Sequence, residues 1–208
     1  MIESTTENFV HLVNQVKVAH RLCAGFYQRL LPTIKHVASE LDFTFWSWRP
    51  LETERPPRAT TQPAEKWAWD FLPLFASEHI YRRSDGDVAK VGDVAIIFSI
   101  YLDESFKKEN RSKLGIAGQP DPIVLPMGEA VVEMSLYRCD QDNGESFDSQ
   151  WTGLGWPDKC IEGWQKVSDL MSTMYLRHTL VEFIANPDTV VDKLRLRLAE
   201  AQVAALDR

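Results

Sequence analysis

Apolar residues recur at every seventh position near the start of the chain, at Phe9, Val16, Cys23, Leu30 and Val37, with Leu12, Val13, Ala19, Phe26, Tyr27, Ile34 and Leu41 filling the turns between them. Such spacing places one continuous stripe along a helix, and it predicts an amphipathic helix over residues 6–41 with Thr5 or Thr6 as its cap. Pro32 lacks a backbone donor and crowds the turn before it, so a break is expected near Leu31. At ~1.5 Å per residue even roughly 30 residues of such a helix are about 45 Å long, more than a compact chain of this size uses. Part of its stripe is therefore expected to be covered by a second chain, in a homodimer.

Beyond this helix the period shortens to two. Phe43, Phe45 and the Trp46-Ser47-Trp48 segment alternate as a strand does, and 75–83 forms a second strand that ends in the turn-like Ser84-Asp85-Gly86-Asp87. Residues 94–102 are apolar on both faces, which predicts a central strand covered on both sides. Another strand is expected over 130–139, followed by a tight turn at Asn143-Gly144. The spacing of Ile161, Trp164, Val167 and Met171 is weakly helical across 158–172, and 174–184 reads equally as a strand or as the continuation of that helix. Asn186-Pro187-Asp188 opens a last helix with a stripe of Val191, Leu194, Leu198, Ala201 and Ala205.

Two connections interrupt the pattern. Residues 49–66 hold four prolines and are read as a flexible loop with a hinge, and residues 104–128 form a second long loop. The whole predicts an α+β fold over 1–208 as one domain, a mainly antiparallel sheet of four or five strands with the N-terminal and C-terminal helices packed on it.

Composition agrees with a folded chain: 44% of the 208 residues are hydrophobic and 25% are charged, which excludes a disordered tail. The net charge of −7 argues against a nucleic-acid or anionic-membrane partner, because both leave a basic footprint. Glu3 and Glu7 stand where a secretory leader carries positive charge. No uncharged stretch approaches the ~20 residues of a membrane span. Cys23, Cys139 and Cys160 form no CxxC spacing, and a reducing cytoplasm is the simplest setting.

No phosphate loop, nucleophile elbow or zinc-helix motif is present, so no catalytic residue, metal ligand or cofactor is assigned. Asp140, Asp142 and Gly144 resemble a calcium loop, but Gly144, Glu145 and Trp151 occupy the positions where that loop needs an oxygen donor, glycine and glutamate. His20 and Cys23 have ligand spacing on a helix, with Cys23 in the apolar stripe. A Cys-His pair drawn from Cys139 or Cys160 with His79 or His178 depends on proximity that spacing does not reveal.

The most distinctive pattern is tryptophan. Trp46-Ser47-Trp48 and Trp67-Ala68-Trp69 each place two indoles on one face of an extended strand and flank the proline-rich loop that carries Arg55 and Arg58. These six residues are the candidate binding surface for a protein partner, against the plainer reading of indoles filling a core. The expected function is a non-enzymatic interaction or accessory protein. The alternative is a small metal-dependent hydrolase or nuclease that uses Asp93, Asp103, Glu104 and Glu133, with Lys107, Lys108, Arg111 and Lys113 on phosphate. Asp93 and Asp103 bracket one strand and so stand on the order of 33 Å apart.

Overall fold

A computed structural model describes residues 2–52, 74–84, 86–142, 144–152 and 154–206. The first helix, α1 (Ile2–Ser39), is followed by β1 (Thr44–Pro50), β2 (Ala76–Arg83), β3 (Val94–Tyr101), α2 (Lys108–Lys113), β4 (Val131–Cys139), α3 (Phe147–Thr152), β5 (Gln165–Lys166), β6 (Met171–Thr179), α4 (Leu180–Ala185) and α5 (Pro187–Leu206). The strands form one antiparallel sheet in the order β1-β2-β3-β4-β6-β5. The fold is thus α+β as expected, with six strands in the sheet rather than four or five.

Alternation along β3 divides the core. Val94, Ile96, Phe98 and Ile100 turn to one face, where they meet Leu30, Ile34 and Val37 of α1, Phe183 of α4, and Val190 and Leu194 of α5. Ala95 and Ile97 turn to the other face and pack with Ile80, Tyr137, Cys139, Phe147 and Met171. The doubly apolar run of β3 therefore has the central, doubly covered position that its composition requires.

Three local expectations change. Helix α1 runs unbroken through Pro32, because Leu30 and Ile34 on either side are fully buried against the sheet while Pro32 sits on the exposed side. The 104–128 connection contains α2 and two short 3-10 turns, at Glu104–Phe106 and Pro122–Val124. The 158–172 stretch holds the short β5 and the start of β6 in place of a helix. The ambiguity over 174–184 resolves as a strand that turns straight into a helix. Thr179 ends β6 and caps α4, accepting from the Glu182 backbone N–H while the Glu182 carboxylate accepts from the Thr179 N–H.

Candidate functional site

The sheet face away from α1 carries an unusual row of polar groups. In register across five strands stand Arg49, Glu78, Ser99, Glu133 and Arg177, contributed by β1, β2, β3, β4 and β6. Two adjoining cavities open over this row. The first, about 290 Å³, is lined by Ser99, Tyr101, Lys107, Glu133, Lys159 and Tyr175 among others. The second, about 370 Å³, is lined by Trp46, Arg49, Glu78, Ile80, Ile97, Tyr137 and Leu154. Trp156 lines both and so forms their common wall.

Glu133 is the anchor of the first cavity. Its Oε1 accepts from Lys107 Nζ at 2.7 Å and from the Tyr175 hydroxyl at 2.8 Å, and Lys159 Nζ lies 3.3 Å from both carboxylate oxygens. Burial alone pushes this carboxyl up. The Lys107 hydrogen bond and charge, the Tyr175 hydroxyl and the Lys159 charge outweigh burial and hold it below the usual carboxylate range. Burial and the neighbouring Glu133 keep the Tyr101 and Tyr175 hydroxyls protonated well above neutral pH. Lys107 also lies over the Tyr101 ring at 4.2 Å. Such groups hold their charges in place and present a preformed polar surface; a carboxylate this heavily engaged is a poor proton acceptor.

The proposed nuclease carboxylates are distributed differently. Glu104 and Glu133 do converge, but the cation between them is the Lys107 ammonium, 3.6 Å from one and 2.7 Å from the other. Asp103 Oδ1 accepts from the backbone N–H groups of Ser105 and Gly128, and Asp93 at the opposite end of β3 accepts from the Lys90 N–H. Among the described residues no group of three or more His, Cys, Asp or Glu side chains is arranged to hold one metal ion. The expected phosphate cluster is also altered. Lys107 and Arg111 are buried in ion pairs with Glu133 and Glu52, leaving Lys108 at the rim of the first cavity and Lys113 beside Asn110.

The tryptophan pair is split. Phe45 stands opposite Tyr81 and Ser47 opposite Ile80, so the register shifts at Trp46 in a β-bulge. That extra residue cancels the alternation. Trp46 packs with Ile80 and Ile97 beside the second cavity, while Trp48 returns to the α1 side, stacks on His79 and stays 56% exposed. The expected shared face of Trp46 and Trp48 is thereby corrected. Trp67, Trp69, Arg55 and Arg58 lie outside the described residues.

His79 reaches neither Cys139 nor Cys160 by hydrogen bond; its ring nitrogen lies 3.1 Å from the Ser77 hydroxyl, two positions back on the same strand face. Burial lowers the His79 imidazole pKa, and Ser77 is wholly buried, so this pair belongs to the packed interior. The residues missed by sequence reading are Glu78, Lys159, Trp156 and Tyr175. Only Glu78 had a local signal, a carboxylate in the middle of an otherwise buried strand.

A second surface lies on α1. Phe9, Leu12, Val13 and Val16, the first part of the heptad stripe, are about half exposed or more, as are Val10, Val18 and Leu22 beside it. Residues 8–22 are exposed throughout and full burial begins only at Leu30, so this described part of α1 runs about 22 Å as an uncovered helix. No described helix is long and apolar enough to cross a membrane.

These features define an α+β protein with α1, α4 and α5 on one face of a six-stranded antiparallel sheet and a charged, aromatic cleft on the other. Residues 6–185 match the model of the PM0109 family, and the chain belongs to that family, whose description names no activity. No curated protein and no solved structure matches the chain.

Proposed function

We propose that the protein is a non-enzymatic, homodimeric interaction or accessory protein of the cytoplasm, its two copies joined along the free part of α1. The observation that carries this reading is the exposed apolar stripe of Phe9, Leu12, Val13 and Val16, continuous in heptad phase with the buried Leu30 and Val37. A contiguous exposed stripe of this kind marks an interaction surface, and two identical stripes satisfy one another. Because α1 packs on the face opposite the cleft, pairing through it leaves each cleft open to a partner or ligand. Three unpaired cysteines are in keeping with a reducing compartment.

Size-exclusion chromatography with light scattering tests the reading. The expected mass at tens of micromolar is twice the chain mass of 23.8 kDa. A single-chain mass at high micromolar concentration overturns it.

A further inference from the structure

Among the described residues, Glu78 is a buried charged group with only half of its carboxylate accounted for. It is 1% exposed, in the middle of β2, and its Oε1 accepts from Arg49 Nε at 2.9 Å. Its Oε2 is buried with no hydrogen-bond partner among the described residues. A buried carboxylate oxygen left unmatched costs free energy, so such a group calls for a donor that the described residues do not supply. Glu78 lines the second cavity, and the other walls there are Trp46, Tyr137 and Trp156 with Ile80 and Ile97. Faces of indole and phenol rings attract cations, and a volume of about 370 Å³ is within the range that takes small molecules.

We infer that this cavity binds a primary ammonium group, the N–H of which is donated to Glu78 Oε2 while the aromatic walls surround its charge and alkyl chain. The hydrogen bond requires an ammonium that still carries a proton to donate, which excludes a quaternary one. Arg49 also lines the cavity with its Nε on Glu78 Oε1, and with 64% of its side chain in solvent it is placed to move as the ligand reaches the covered Oε2. The first cavity gives the ligand a direction. Glu133, with Lys107 and Lys159 around it, stands two strands from Glu78, on the order of 10 Å away at ~4.8 Å per strand, and Lys108 lies at its rim. A ligand longer than the second cavity therefore extends its far end under Trp156 toward lysines. The cavity lies within one chain and so does not depend on the dimer.

Isothermal titration of the full chain with butylammonium, butyltrimethylammonium and butan-1-ol separates the contributions. Butylammonium is expected to bind, butyltrimethylammonium at least tenfold more weakly for want of an N–H, and butan-1-ol not measurably. Glu78→Gln is expected to abolish butylammonium binding. Trp156→Ala, at a 57% exposed position that leaves the core intact, is expected to weaken it about fivefold. The inference is overturned if butylammonium fails to bind at millimolar concentration, if the trimethyl compound or the alcohol binds equally well, or if a Trp156→Ala protein of unchanged melting temperature binds as tightly as the native chain. The light-scattering mass is read on the same samples, so failure of the ligand site and failure of the dimer are distinguished.

Discussion

Glu133 illustrates how much a single carboxylate is asked to hold. Its partners come from three different stretches of chain: Lys107 before α2, Lys159 in the connection before β5, and Tyr175 on β6. Glu133→Gln keeps an acceptor for Tyr175 and removes the charge facing Lys107, whose side chain is 7% exposed. Leaving that ammonium with only the more distant Glu104, 3.6 Å away, is expected to cost about 1–3 kcal/mol at pH 7, measured by urea denaturation. The pH dependence follows from the direction of the shift. Because the folded carboxyl lies below its usual range, its contribution is fully present above the unfolded value of about 4.3 and disappears as pH falls through the lower folded value. The stability gap between native chain and Glu133→Gln should therefore hold from neutral pH down to about 4 and close on further acidification. A gap that widens in acid contradicts the assignment. None of these pairings was legible in the sequence. Glu133 and Lys107 are 26 positions apart and Glu133 and Tyr175 are 42 apart, and only the register of β4 against β6 brings the latter together.

Elements with one dominant physical cause were readable, and those that depend on partners were not. The heptad stripe located α1, and the unbroken apolar run located β3, because burial periodicity is written locally. Helix α2 has the sequence Lys-Glu-Asn-Arg-Ser-Lys and no apolar period; it is held by ion pairs such as Arg111 to Glu52, which local pattern does not encode. The bulge at Trp46 likewise arises from pairing with β2, and it separated two indoles that a regular strand keeps together. Pro32 is the opposite case, a local signal overruled by tertiary packing. Its ring still removes a backbone donor from the helix interior, so Pro32→Ala at this exposed site is expected to stabilise the fold by about 1–3 kcal/mol, read as a raised urea midpoint with unchanged slope. Loss of stability would mean that α1 is not a continuous helix in solution.

At the scale of the molecule, the long helix and the sheet divide the work. The buried end of α1, from Leu30 to Ala38, is part of the main core, while the exposed stretch from Phe9 to Leu22 contributes nothing to it. Substitutions in the two parts should therefore separate cleanly. Phe9→Glu combined with Val16→Glu is expected to reduce the light-scattering mass to one chain and to leave the far-ultraviolet circular dichroism of the sheet unchanged. Phe98→Ala acts in the other way. Phe98 is fully buried, meets Tyr81 and Phe183 edge to face at 5.9 and 6.1 Å, and links the sheet to α4, so its loss is expected to cost about 3–5 kcal/mol of unfolding free energy by urea titration.

The outer strand β1 sets a limit on how copies of this protein can add to one another. An edge strand with a free row of N–H and C=O groups is a template on which further strands grow into fibres. Here that row is twisted by the bulge at Trp46, bears the charge of Arg49, and ends at Pro50, which has no N–H to offer. Strand-on-strand extension from this side is disfavoured from the outset, and concentrated solutions of the protein should remain clear and negative to amyloid dyes while its helices remain free to pair.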